Sequence, residues 1–271
     1  MNFRTLSFII IILILIIATY TIALNSKSFV EMNIGDDFSG LKLFDYNGNH
    51  ANVNNIYGER KVFFYLSQGC KSCIEKLGSI CDLKNIFDSE NILIYIIWEG
   101  QIPINRVKQC NIPLEANFAT KDYHINKITP AVFSTNIENV IDFHVEVDMQ
   151  PVILYLINHI ENTEDIQNKA FDHVINKYCN AIDKNNDNVF VFTTDYCDAC
   201  KDAILDLDNV KSNKNVAFFN SSEYLYDKDY VNIEDKLYIY ETIFEVGRFP
   251  AFLSRNNNIF KLSYDFSAFI D

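Results

Sequence analysis

The sequence has 271 residues and is 49% hydrophobic, which supplies two modest cores, since a domain typically takes ~100 to 150 residues. Its formal net charge is −13 and its Lys and Arg residues are scattered, so it lacks the basic stripe that neutralises phosphates, and nucleic acid is excluded as an expected partner. Its seven cysteines are an odd number, so at least one has no mate when the others pair.

The first feature in chain order is an uncharged run of nineteen residues from Leu6 to Leu24, dominated by Ile9 to Ile17. A helix needs ~20 apolar residues to cross ~30 Å of hydrocarbon, so this run is expected to be one N-terminal transmembrane helix within an anchor of residues 1–27. Arg4 and the amino terminus precede it, and the positive-inside rule then sends everything after Asn25 across the membrane. A cleaved secretory signal is the rival expectation, but its apolar region typically runs ~7 to 15 residues, and small residues near Thr21 and Ala23 make a poor cleavage pattern. The abundance of Asn, Ile and Lys is typical of an AT-rich bacterial genome, so the expected location is a bacterial cytoplasmic membrane, crossed once, with the rest of the chain outside. Thiols outside the cytosol tend to be oxidised, and seven cysteines there point to disulfide chemistry.

A first unit is expected over residues 28–162. Val62 to Leu66 reads as a buried strand, followed by Cys70 and Cys73. Ile74, Leu77, Ile80, Leu83 and Ile86, spaced by three, predict a helix with one apolar face. Beyond it the pattern predicts a strand over Ile92 to Trp98 and a helical stretch from Asn105 to Cys110. Thr129-Pro130 then leads into a strand, Ala131 to Phe133, with an antiparallel neighbour over Val140 to Val145 and a closing helix over Val152 to Ile160.

The polar, acidic stretch Glu161 to Lys169 reads as a linker, with a boundary near residue 163, and a second unit is expected over residues 163–271. It repeats the layout. A helix from Phe171 to Ile182 leads through turn-rich residues to the strand Val189 to Phe192, then Cys197 and Cys200, and a helix carrying Ile204, Leu205, Leu207 and Val210. The strand Val216 to Phe219 follows. Phe249-Pro250 opens the strand Ala251 to Leu253, and Ile259 to Leu262 can pair with it.

On these residues both units resemble the thioredoxin superfamily. The first resembles its membrane-anchored TlpA and ResA branch: Gly35-Asp36-Asp37-Phe38, Leu41, Leu43, Asp45 and Gly48 match that branch's leading hairpin, and Ile125, Pro130 and Phe133 match the stretch around its cis-proline. The second resembles thioredoxin in Tyr196-Cys197-Asp198-Ala199-Cys200-Lys201 and in Val246 to Phe252. The fold implied is α/β, with tandem thioredoxin-like domains, each a central mixed sheet flanked by helices. Three features depart from the family: a buried carboxylate often found six residues before the first Cys is replaced by Phe64 and Val191, the residue before the first motif is Gly69 where Trp is usual, and only Asp265 to Asp271 stand where a last helix would be. The proton acceptor is therefore not identified, and the second unit is expected to be trimmed.

A thiolate is the nucleophile in disulfide exchange, and a helix N-terminus favours the anion. Cys70 and Cys197 are thus the expected nucleophiles, with Cys73 and Cys200 three residues on as the resolving thiols. An X-Pro bond adopts cis cheaply, at ~0.5 to 1 kcal/mol, and a cis bond beside the motif turns backbone groups outward toward an extended substrate strand. Thr129, Pro130, Phe249 and Pro250 are the expected substrate-binding residues. Lys71 is expected to favour the Cys70 thiolate while Asp195 and Asp198 oppose that of Cys197, which makes the first site the more oxidising.

The expected activity is exchange of disulfides or thiols in exported proteins or peptides, with direction and substrate open. A single span offers no route for electrons, so a membrane redox partner is implied. No cofactor is expected, since the sequence has no phosphate-binding glycine loop. Three alternatives stay open: a zinc site built from the two Cys pairs, a structural disulfide in each unit, and a non-catalytic binding module. Cys81 falls on the apolar stripe and is expected to be a buried inert thiol, Cys110 lies near a helix end, and Cys179 falls on a helix; the pairing of these three is open, a Cys81–Cys110 bridge being one alternative. The five His residues show no metal-ligand spacing and are expected mostly at the surface, with His124 the one candidate proton acceptor.

Overall fold

The computed structural model of the chain describes Ile12 and residues 28–265, apart from 57–58, 89–91, 111, 122, 127, 147, 149, 179–187, 195–196, 203–214, 221–230, 236–237 and 257–258. The apolar run from Leu6 to Leu24, Cys179 and the helix expected through Val210 fall outside the described residues, apart from Ile12. Among the described residues no helix is long and apolar enough to cross a membrane.

The first half forms a seven-stranded sheet from β2 (Leu43–Phe44), β3 (His50–Ala51), β4 (Arg60–Ser67), β5 (Ile92–Glu99), β6 (Asn117–Thr120), β8 (Ala131–Thr135) and β9 (Ile141–Glu146), in the order β3-β2-β6-β5-β4-β8-β9. Strands β4, β5 and β6 are parallel, β8 runs antiparallel to β4, and β9 antiparallel to β8. A short parallel pair, β1 (Ser28–Val30) with β7 (Tyr123–Ile125), stands apart. The second half forms a five-stranded sheet from β10 (Asn188–Thr193), β11 (Asn215–Asn220), β12 (Val231–Glu234), β13 (Ala251–Asn256) and β14 (Ile259–Ser263), in the order β12-β11-β10-β13-β14. Its strand directions repeat those of β6-β5-β4-β8-β9, so one five-strand plan occurs twice, and the first sheet extends it with the β2-β3 hairpin.

The central strands read as unbroken apolar runs because both faces of the sheet are covered. Val62, Phe64 and Leu66 of β4 point to one face and Phe63 and Tyr65 to the other, and all five are buried. The helices are α1 (Lys71–Phe87), α2 (Ile104–Gln109), α3 (Gln150–Asn158), α4 (Thr163–Tyr178) and α5 (Ile239–Ile243). Helix α1 keeps the expected apolar stripe buried at Leu77, Ile80, Leu83 and Ile86, and it also buries Ser79, Cys81 and Asp82, because α4 covers its outer side.

Helix α4 revises the expected linker. It begins at Thr163 and takes in the polar stretch. The Asn162 side chain accepts from the Glu164 N–H at 3.1 Å, and Glu164 and Asp165 lie in the first turn, where the helix dipole favours negative charge. Ile166, Ala170, Phe171 and Val174 then bury one face. The Phe171 ring stacks on Phe190 of β10 with centroids 4.3 Å apart, and α4 joins α1, β4 and β10 into one continuous buried cluster. Burying a Phe of this kind contributes ~1.5 to 3 kcal/mol.

Candidate redox site

Each Cys-x-x-C motif lies where a buried central strand meets a helix. After β4 the chain turns through Gln68 and Gly69, and Cys70 takes the N-cap position of α1, its sulfur accepting from the Cys73 N–H at 3.0 Å. An Asp, Ser or Thr oxygen usually fills that role. After β10 the same arrangement recurs: residues 198–202 are helical, and the Cys197 sulfur accepts from the Cys200 N–H at 3.0 Å. Unpaired N–H groups and the positive end of the helix thus face each first sulfur, which favours a thiolate when the bond is reduced.

Both pairs are joined as disulfides, with Cα–Cα separations of 5.3 Å for Cys70–Cys73 and 5.2 Å for Cys197–Cys200. In each, the first sulfur is half-buried and the second is buried. An incoming thiolate or disulfide therefore meets Cys70 or Cys197 first, and Cys73 or Cys200 is held in reserve.

The Thr129-Pro130 and Phe249-Pro250 bonds are both cis, leading into β8 and β13. The structure brings the first of these to its motif: the Thr129 carbonyl oxygen lies 3.5 Å from the Cys70 sulfur. No corresponding contact between Cys197 and Phe249 is seen among the described residues; Phe249 and Pro250 are half-buried at the start of β13.

Two of the charged residues beside the motifs are exposed and partnered. The Lys71 side chain is 91% exposed and its ammonium lies 3.5 Å from Glu75, while Asp198 is 97% exposed and paired with Lys201 at 3.0 Å. Exposed, partnered charges are screened by water and salt, so they separate the two sites less than bare sequence proximity implied. Asp195 lies outside the described residues.

Sequence reasoning did not single out two carboxylates at the C-terminal ends of other strands in the two sheets. Glu99 ends β5, opposite Ser67 at the same sheet edge as Cys70, and the Nδ1 atom of His124 lies 2.9 Å from its carboxylate. Asp235 follows β12 at the corresponding edge of the second sheet. It is buried and accepts from the N–H groups of Ile239, Tyr240 and Glu241 at 2.7, 2.9 and 3.5 Å, and burial pushes its carboxyl up to about 7 against those bonds. Neither position carries a local sequence signal, since each depends on which strands become neighbours. His124, His144 and His173 are half-buried, not at the surface as expected, because each packs on a neighbouring element; His50 and His159 are exposed.

The two strand plans, with a Cys-x-x-C at the C-terminal end of each central strand and a cis-proline leading into its antiparallel neighbour, define a thioredoxin-like fold bearing two Cys-x-x-C disulfides. No family model and no curated protein matches the chain. Three solved structures are similar at low identity. A domain of a possible thiol-disulfide isomerase from Cytophaga hutchinsonii is 14% identical, with 48% of this chain and 95% of that one covered and a TM-score of 0.39. A thiol:disulfide interchange protein from Bacteroides sp. is 14% identical over 48% and 94%, TM-score 0.39. The thioredoxin domain of a thiol-disulfide oxidoreductase from Bacteroides vulgatus is 14% identical over 46% and 99%, TM-score 0.38. At these scores the assignment of the fold rests on the chain's own topology.

Proposed function

We propose that the chain is a membrane-anchored thiol-disulfide oxidoreductase that exchanges disulfides or thiols of exported proteins or peptides outside the cytoplasmic membrane. In this proposal residues 1–27 are the anchor, and residues 28–162 and 163–271 are two thioredoxin-like units. The observation that carries it is the repeated asymmetry of the Cys pairs: a half-buried first sulfur capping a helix, bonded to a buried second sulfur.

In the reducing direction Cys70 or Cys197 attacks a substrate disulfide as a thiolate, one substrate sulfur leaves and takes up a proton, and a mixed disulfide remains. Cys73 or Cys200 then loses its proton and attacks the first Cys sulfur, releasing the second substrate thiol and closing the protein disulfide. The oxidising direction is the reverse. The Thr129 carbonyl beside Cys70 is the backbone group best placed to meet a substrate strand. The uncharged run from Leu6 to Leu24 supports the anchor, and a membrane redox partner is proposed to reset the sites.

The test is thiol trapping of the full-length chain over a glutathione redox series, with mass mapping of each Cys pair. Reversible titration of Cys70–Cys73 and Cys197–Cys200 is expected. If both pairs stay oxidised at every ratio that reduces thioredoxin-like disulfides, the activity is wrong and the bonds are structural.

A further inference from the structure

Away from both motifs, α1, α2 and α4 enclose a cleft of about 600 Å³ lined by Gly78, Cys81, Asn85, Gln109, Cys110 and Lys177, among others. That volume lies within the ~300 to 1,000 Å³ typical of small-molecule sites. Two of the wall residues are cysteines outside any disulfide: Cys81, buried in the middle of α1, and Cys110, half-buried at the C-terminal end of α2. Both side chains line this one cleft, each within electrostatic reach of the other.

We propose that Cys81 and Cys110 are a third redox pair, oxidised reversibly to a disulfide by low-molecular-weight disulfides that enter this cleft. The two sulfurs come from separate helices, converge on one opening, and differ in access in the same sense as the two motif pairs: one reachable, one buried.

Charge assigns the order of attack. The neighbouring Cys81 side chain and the Lys177 ammonium hold the Cys110 thiol below its ordinary range, whereas the adjacent Cys110 and burial push the Cys81 thiol far up. Cys81 also lies 2.8 Å from the Leu77 carbonyl, which accepts its proton-bearing form and not its anion. Cys110 therefore attacks first, as a thiolate, on one sulfur of R–S–S–R. That bond breaks, R–S⁻ leaves and takes up a proton from water, replacing the one Cys110 released on ionising, and a Cys110–S–S–R mixed disulfide remains. The buried Cys81 gives its proton to the second departing R–S⁻ as it attacks the Cys110 sulfur. Two protein thiols lose two electrons in total, and one small disulfide becomes two thiols. The product ties α1 to the end of α2.

The experiment exposes the full-length folded chain to mixtures of reduced and oxidised glutathione, quenches with acid, alkylates, and maps Cys81, Cys110 and Cys179 by mass. The Cys81–Cys110 cross-link is expected to rise from about one tenth to about nine tenths over an ~100-fold change in the ratio of oxidised to squared reduced glutathione, and to fall again on reversal. Cys81→Ser is expected to accumulate a glutathione adduct on Cys110, while Cys110→Ser leaves Cys81 unmodified over the same time. Free Cys81 and Cys110 at every ratio, a link from either to Cys179, or a Cys81–Cys110 link that forms only in denaturant would each overturn the proposal. Mapping the unsubstituted chain decides the matter even where a variant folds poorly.

Discussion

The Cys70 sulfur lies 3.5 Å from the Thr129 carbonyl oxygen and accepts the Cys73 N–H at 3.0 Å, so one atom sits between a backbone acceptor and a backbone donor. In the reduced state the carbonyl suits the protonated thiol and the N–H suits the thiolate. A substrate strand that hydrogen-bonds the Thr129 backbone takes up that acceptor and leaves the thiolate-stabilising contact in place.

Removing the reserve sulfur is the most direct check on this chemistry. Cys73→Ser is expected to stop release and to trap Cys70 in a mixed disulfide with the substrate. Mass spectrometry under non-reducing conditions reads the adduct, and a Cys73→Ser chain that stays free of adduct while the wild type turns over would remove Cys70 from the nucleophile's role.

Lys71→Gln is expected to change the rate at which reduced Cys70 is alkylated at pH 7 by less than about threefold, since the ammonium is exposed and shared with Glu75. A larger drop in stopped-flow alkylation would restore the charge asymmetry expected from the sequence.

The pattern of apolar residues carried much of the fold. The buried runs of β4, β5 and β10, the stripe of α1, both motifs and both proline-led strands were legible, because each is a local periodicity or a fixed spacing. Three parts were not. Strand β6 opens with Asn117, a polar residue tolerated there because it accepts from the Trp98 indole N–H at 3.0 Å and donates to the Pro113 carbonyl at 2.9 Å. Helix α4 begins in a polar stretch whose solvent face outnumbers its buried one. The convergence of Cys81 and Cys110 depends on the packing of α1 beside α2, which no spacing between positions 81 and 110 encodes.

Asp82 accounts for another feature invisible in the sequence. Its side chain is 6% exposed and accepts from His173 and the Tyr178 hydroxyl, each at 2.9 Å, and from Lys177, all on α4. Burial alone would raise the carboxyl, but the bonds from His173 and Lys177, and their charge, hold it below its ordinary value. A depressed folded value contributes stability above the unfolded pKa of ~3.9 that is lost as pH falls through the folded one. Asp82→Ala is expected to cost about 3 kcal/mol at pH 7 and distinctly less near pH 2, read from urea midpoints.

Glu241 runs the opposite way. Burial, helped by the nearby Asp235, raises its carboxyl to about 8, and its Oε1 atom has no hydrogen-bond partner among the described residues. A raised folded value contributes stability that is fully present below the unfolded pKa of ~4.3 and lost as pH rises through about 8. Glu241→Gln cannot ionise, so its stability relative to the wild type is expected to grow by about 2 to 4 kcal/mol between pH 5 and pH 9. A difference that stays flat with pH would place the ionised carboxylate in water.

Tandem domains usually meet through modest polar surfaces and melt one after the other. Here Phe171 packs into the second sheet while His173, Lys177 and Tyr178, on the same helix, hold Asp82 beside the first. Helix α4 cannot leave either partner without stripping the other, so heat is expected to unfold both sheets in one cooperative transition, with equal calorimetric and van't Hoff enthalpies. A chain cut at residue 163 is expected to lose part of a shared core wall and with it the single transition.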